Sequence, residues 1–201
     1  MKNYTCLLLL LFSSIVFAQN DNEAKKPELT FKINARFQLL YPIQFGNTAL
    51  AKAHEPKLGV SAQMNFLNYQ NFKAGFGFDF VTYKITDKQM IANLSNSKYT
   101  SAYFLLSYEY KLNEKFLISP NIGYGSASLE LGSRSSRFGK QNGNEIRIGG
   151  VIDYKIGKST YAFGGINYVT NSLDVETAPE YQSFFSKANQ IQLSIGIRLG
   201  N

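Results

Sequence analysis

The sequence predicts an all-β fold: a transmembrane eight-stranded antiparallel up-and-down β-barrel. Three observations carry this. Apolar residues alternate with polar or small ones in eight successive segments, and period two is the signature of strands, whose side chains point to opposite faces in turn. The connections are alternately long and short, which gathers the long ones at one end of an up-and-down sheet. The apolar phase is bulky and aromatic while the other is rich in Gly and Ser. Eight strands enclose only a narrow interior, so the small phase belongs inside and the apolar phase faces lipid.

The elements follow in order. Residues 1–18 read as a signal peptide: Lys2 supplies a positive start, an apolar run from Leu7 to Phe17 follows, and Val16-Phe17-Ala18 offers a cleavage site. The single Cys, Cys6, precedes that run instead of ending it, so no lipid anchor is expected. Residues 19–27 form a short periplasmic N-terminal segment, and 28–201 form the barrel. The first strand sets Leu29, Phe31, Ile33, Phe37 and Leu39 against Thr30, Lys32, Asn34, Arg36 and Gln38. The second sets Leu58, Val60, Met64 and Phe66 against Ser61, Gln63 and Asn65, and the third carries Phe72, Phe76, Phe78 and Phe80. Phe104, Leu106, Tyr108 and Tyr110 mark the fourth, and Phe116, Ile118, Ile122 and Tyr124 the fifth. Within the fifth, Pro120 cannot donate to a ladder, so a bulge or distortion is expected there. Ile146, Ile148, Ile152 and Tyr154 mark the sixth. The seventh, residues 160–170, is ambiguous because Tyr161, Phe163, Ile166 and Tyr168 do not share a phase. The eighth alternates cleanly through Ile191, Leu193, Ile195, Ile197 and Leu199. Tyr69, Tyr83, Tyr99, Tyr110, Tyr154 and Tyr168 fall near strand ends, where an interfacial aromatic girdle would sit. Long loops are expected at 42–56, 86–98, 131–144 and 176–187, and tight turns at 68–71, 112–115 and 156–159.

Composition narrows the function classes. The chain is 44% hydrophobic and only 17% charged, with sixteen Phe and thirteen Tyr, which excludes disorder. One Cys and one His exclude Cys/His metal clusters and disulfide frameworks. The net charge of +7 contains no Lys/Arg run that would read as a nucleic-acid stripe. A soluble eight-stranded barrel such as a lipocalin would have to pack the four Phe of the third strand and the Ile, Leu and Tyr of the others into its interior, which has no room for them.

The signal peptide, the eight alternating segments, the short turns and long loops, and the closing strand through Ile191 and Leu199 resemble the small outer-membrane β-barrel proteins of Gram-negative bacteria. These are the OmpA/OmpX-type eight-stranded barrels and the "outer membrane protein β-barrel domain" group. The resemblance covers the whole mature chain and implies a cell outer membrane location and insertion by the barrel-assembly machinery. It carries no catalytic motif, cofactor or metal. It implies a monomer in contact with lipid and lipopolysaccharide, and a surface or envelope protein partner through the loops. Family members often end on an aromatic residue; this chain ends Arg198-Leu199-Gly200-Asn201.

Charges on the inward phase are the most specific chemical feature. Lys32, Arg36, Lys73, Asp79, Glu109, Lys111, Arg147, Asp153, Lys155 and Arg198 all fall on it. Charge in a narrow lumen is costly unless paired, so a lumen ion-pair network is expected of Lys32, Arg36, Asp79, Glu109, Arg147, Asp153 and Arg198. Such a network is either a structural plug or, as the resemblance to OmpA-type lumens implies, a gate in a narrow channel for small solutes. Arg134, Arg137 and Lys140 make the 131–144 connection basic, a lipopolysaccharide-contacting loop in which Arg meets phosphate. Met90, Ile91, Leu94, Phe184 and Phe185 place apolar groups in two other loops; they bind a partner, cap the barrel mouth or pack together. The family also includes lipid A-modifying enzymes, but the one imidazole, His54, stands in a loop with no motif beside it, so no enzyme activity is expected.

Overall fold

The structure is a computed structural model that describes residues 28–91, 94–132 and 137–200; the expected signal peptide and the 19–27 segment lie outside the described residues. Eight long strands form one closed antiparallel sheet. They are β1 (Leu29–Phe45), β3 (Gly59–Tyr69), β4 (Phe72–Ile85), β5 (Asn96–Tyr108), β7 (Phe116–Gly132), β8 (Arg137–Lys155), β9 (Thr160–Leu173) and β10 (Lys187–Leu199). Each pairs with the next, β4 with β5 and β1 with β10, so the ladder has no open edge around the barrel. Two short strands, β2 (His54–Pro56) on β4 and β6 (Tyr110–Lys111) on β7, and two helices, α1 (Ala49–Ala53) and α2 (Pro179–Ser186), complete the elements among the described residues.

Period two fixes which face points where. Phe31, Phe37, Phe76, Phe78, Phe104, Ile148, Ile166, Ile195 and their neighbours in phase are exposed, Phe31 at 76% and Ile195 at 66%. The opposite phase is buried and polar: Asn34, Arg36 and Gln38 on β1, Ser61, Gln63 and Asn65 on β3. A barrel turned inside out in this way is stable only where lipid bathes its outer face. The nine residues from Phe116 to Tyr124 on β7 pair with Tyr154 to Ile146 on β8, and about 9–11 residues per tilted strand suffice to cross a bilayer. Aromatic pairs flank the apolar band: Phe116–Tyr154 at 5.0 Å and Phe72–Tyr108 at 4.9 Å at the short-turn end, Phe45–Tyr168 at 5.9 Å towards the loops.

Several expectations need correction. Tyr83 and Tyr99 are no part of the girdle; their odd positions on β4 and β5 turn them inward, where they are fully buried. The 131–144 connection is mostly strand: β7 and β8 continue as a hairpin through Gly132 and from Arg137, well past the apolar band. The 42–56 and 176–187 connections hold the ends of β1 and β10 and the two helices. At Pro120 the expected irregularity is present, as a break in the ladder and not as a bulge. The β5–β7 pairing stops at Ser107↔Asn121 and resumes on β6 at Tyr110↔Ile118 in the same register, so the missing N–H coincides with a local break opposite Tyr108 and Glu109. The mixed phase of the seventh segment is real: on β9, Tyr161 and Phe163 point in while Ile166 and Tyr168 point out.

Candidate functional site in the barrel lumen

Strand alternation delivers charged side chains into the lumen in two layers. Nearest the short turns lies a chain of five charges from five places on the wall. Arg36 Nη2 meets Asp153 Oδ2 at 2.9 Å, Arg198 Nη1 reaches the same oxygen at 3.2 Å and Glu109 Oε2 at 2.6 Å, and Lys73 Nζ donates to that Glu109 oxygen at 2.8 Å. Arg36 and Arg198 stand directly opposite in register on β1 and β10. Like charges so placed repel, and Asp153 between them removes the penalty. Inward aromatics complete the layer: the Arg198 guanidinium lies 3.9 Å from the Tyr161 ring centroid and Arg36 5.7 Å from that of Phe163.

The second layer, deeper along the axis, centres on Arg147, which is 1% exposed. Its Nη2 donates to Asp79 Oδ2 at 2.7 Å and its Nε to Glu145 Oε1 at 2.7 Å. Its guanidinium carbon lies over the Tyr103 ring, 3.3 Å from the centroid. Tyr103 in turn donates to Asp79 Oδ1 at 3.0 Å and accepts from Gln63 Nε2 at 3.0 Å, while the Tyr99 hydroxyl donates to Glu145. Glycines make the room. A methyl on Gly77 would strike the Tyr103 ring, and one on Gly123 would lie 2.7 Å from Arg147 Cγ. The two layers together hold four cations, Arg36, Lys73, Arg147 and Arg198, and four carboxylates, Asp79, Glu109, Glu145 and Asp153. The lumen is therefore charge-neutral, as burial of ions in low dielectric requires.

Of the residues expected in this network, the structure brings together Arg36, Asp79, Glu109, Arg147, Asp153 and Arg198. Lys32 is a correction. It is exposed, at a point where the register of β1 against β3 slips between Phe31 and Asn34, and its backbone oxygen accepts from Asn68 Nδ2 at 2.9 Å. Lys111 and Lys155 also stand exposed at the short-turn end. Glu145 is missing from the expected network because it falls between the expected 131–144 connection and the first apolar residue of the sixth segment, Ile146; its position two residues before Arg147, in phase, is the available signal.

Above the ionic layers the lumen turns apolar. Leu40, Leu50, Val81, Tyr83, Leu129 and Leu173 form one buried cluster, and Ala53, Ile85, Ile91 and Leu94, with Phe184 and Phe185 against them, form a second at the mouth. The loop apolar residues thus cap the barrel and pack on each other, with Phe184 and Phe185 edge to face at 5.0 Å. α1 starts on its cap, Thr48 Oγ1 accepting from Ala51 N at 3.3 Å, and its buried Ala49, Leu50 and Ala53 pack it into the mouth. His54 is buried beneath it. Its Nδ1 lies 3.2 Å from the Ala49 carbonyl, and its ring meets Tyr83 edge-on. Of the basic loop residues, Arg134 lies outside the described residues, Arg137 is placed only by its backbone on β8, and Lys140 is exposed on the same strand. Among the described residues no group of three His, Cys, Asp or Glu could hold a metal ion.

A closed eight-stranded barrel with an apolar outer band and a paired polar lumen defines an integral membrane protein of the outer-membrane type. Comparison with solved structures agrees on the fold. The chain is similar to Neisserial surface protein A, with a TM-score of 0.52 and 11% identity over 87% of this chain and 99% of that one. It is similar likewise to the outer membrane protein AlkL, with a TM-score of 0.50 and 14% identity over 91% of this chain and 97% of that one. No protein-family model and no curated protein matches the sequence.

Proposed function

We propose that this chain is a resident outer-membrane barrel, exported by residues 1–18, whose role is structural and interactive. It braces the membrane, contacts lipopolysaccharide and offers its loop end to a surface or envelope partner. The observation that carries this reading is the doubly closed lumen, in which neutral ionic layers are overlain by an apolar cap. A water path would have to break buried ion pairs and wet an apolar plug, so the narrow-channel alternative has two barriers against it. Lipopolysaccharide contact is supported by lysines just above the apolar band. Lys84 on β4 and Lys98 on β5 are exposed diagonal neighbours there, with ammonium groups placed to meet headgroup phosphates, and Lys140 is exposed farther out on β8, opposite Glu130. A lipid A-modifying role has less support, because His54 lies inside the mouth and not on the lipid-facing wall.

Single-channel recording on the purified barrel in planar bilayers tests the reading. Flat traces at 100 mV are expected; sustained ion steps would replace this proposal with the channel. The lipid contact has its own readout. Changing Lys84, Lys98 and Lys140 together to Gln lowers the lipopolysaccharide retained on purification and leaves the mobility of the folded barrel unchanged.

A further inference from the structure

The lumen charges cancel, but those just outside its short-turn end do not. Among the described residues five lysines stand exposed there, Lys32, Lys111, Lys115, Lys155 and Lys158, against two glutamates, Glu28 and Glu114. Three of these lysines share one open cleft of about 470 Å³, lined by Lys111, Glu114, Lys115, Lys155, Ile156 and Gly157. None of the three makes an ion pair among the described residues. Glu114 is the one carboxylate on the lining, so the cleft is cationic.

Hydrogen bonds in the two turns fix the backbone that carries these lysines. Asn113 Oδ1 accepts from Lys115 N and from Phe116 N, each at 2.9 Å. Lys155 N donates to the Lys115 carbonyl at 2.8 Å, and Ile156 N and Gly157 N both donate to Thr160 O at 3.0 Å. Lys111, on β6, pairs with Leu117 on β7. With the backbone already ordered, only side-chain freedom is lost when an anion arrives. The depth of the cleft is set by its neighbours. Phe116 and Tyr154, the girdle pair 5.0 Å apart, are next in the chain to Lys115 and Lys155. At about 3.3 Å per strand residue, the lysines stand one step outside the apolar band, at the level of lipid headgroups.

We infer that this cleft is a docking site for the phosphodiester headgroup of an anionic phospholipid in the leaflet at the short-turn end. The ammonium groups of Lys111, Lys115 and Lys155 meet the phosphate, and the acyl chains continue along the apolar wall beside Phe116 and Tyr154. That continuity with the lipid-facing band favours a lipid over a free anion. The surplus of positive charge favours an anionic headgroup over a zwitterionic one, whose own cation it would repel. The site lies at the opposite end of the barrel from the lysines proposed to meet lipopolysaccharide, and it does not depend on whether the lumen conducts.

The experiment places the ¹⁵N-labelled, refolded barrel in a series of nanodiscs in which phosphatidylglycerol progressively replaces phosphatidylcholine. The amides of Ile156 and Gly157, uncharged residues of the lining, are the reporters. They are expected to shift saturably with the phosphatidylglycerol fraction. Lys111→Gln, Lys115→Gln and Lys155→Gln should each raise the half-saturating fraction about fivefold, the effect of one lysine at an anionic surface. Glu114→Gln should lower it, and Lys52→Gln, at the loop end, should leave it unchanged. Three results would each overturn the inference. A shift that grows in proportion to phosphatidylglycerol without saturating would mean diffuse charge and no site. Half-saturation unmoved by all three lysine variants would place the lipid elsewhere. Saturation of the same amides in pure phosphatidylcholine by glycerophosphoglycerol, the headgroup without chains, with phosphatidylglycerol adding nothing further, would make this a site for soluble phosphate esters. The first and third comparisons use the unaltered protein, so they stand even if a variant fails to fold.

Discussion

Asp153 shows what a single buried carboxylate does here. It is fully buried, and one of its oxygens serves both Arg36 and Arg198. Replacing it with Asn keeps the shape and removes the charge, so two arginines in register face each other with only Glu109 left nearby. Breaking one partner out of a buried pair costs about 3–5 kcal/mol. Asp153→Asn should therefore lower the unfolding free energy in detergent micelles by about that amount. Adding Arg36→Met should recover part of it, because the surplus positive charge falls by one. If the double variant is less stable than the single, the pairing does not set the cost. A second residue-scale test uses Gly77. Gly77→Ala pushes the Tyr103 ring off Arg147 and should destabilise more than Gly139→Ala, whose added methyl meets nothing. The three arginines and three of the four carboxylates, Asp79, Glu109 and Asp153, were legible because they sit in phase with Gly and Ser. Tyr161 and Phe163 were not, because an inward aromatic under a guanidinium breaks the rule that apolar means outward.

At the scale of elements the β7–β8 hairpin is the informative case. Its strands run 17 and 19 residues, about twice what the bilayer needs. Beyond Tyr124 and Ile146 the outward positions become Ser126, Ser128 and Glu130 on β7 and Asn144, Asn142 and Lys140 on β8. Outside lipid a strand needs no apolar outer face, so alternation of apolar and polar residues disappears although the ladder continues. That is why 131–144 reads as a loop in the sequence, whereas the same two strands within lipid were readable residue by residue. The inward residues Ala127, Leu129 and Leu131 show the same continuity, since they still pack on the apolar cap. Replacing residues 128–142 with a two-residue Asn-Gly turn should leave a closed barrel, because every pair from Phe116↔Tyr154 to Tyr124↔Ile146 remains. The shortened protein should still run as a compact band unboiled and shift on boiling. Its shift temperature should fall, since Leu129 no longer fills the mouth. Loss of the compact band altogether would mean that the barrel depends on the extramembrane hairpin to close.

For the whole molecule, the lumen is two barriers in series. Ionic layers fill the half nearer the short turns and an apolar cap fills the loop end. The inside-out distribution of side chains was readable from alternation and volume alone. The division of the interior was not, because it depends on which inward residues from eight strands meet at one depth. Barriers in series make a specific demand on conductance: removing either one leaves the other in control. Arg147→Ala alone should stay closed because Leu50, Leu129 and Phe185 still exclude water. Leu50→Ser, Leu129→Ser and Phe185→Ser together should stay closed because Arg147 still bridges Asp79 and Glu145. Only the combination should give ion steps. Its lumen would hold three cations against four carboxylates, the neutral network less Arg147, with Asp79 and Glu145 left without their arginine. Potassium should therefore pass in preference to chloride, and the preference should weaken as salt screens those charges. The boiling shift on gels verifies that each variant is a folded barrel before its current is recorded. Steps of equal size in either partial variant and in the combination would mean that one plug alone closes the barrel and the other is filler.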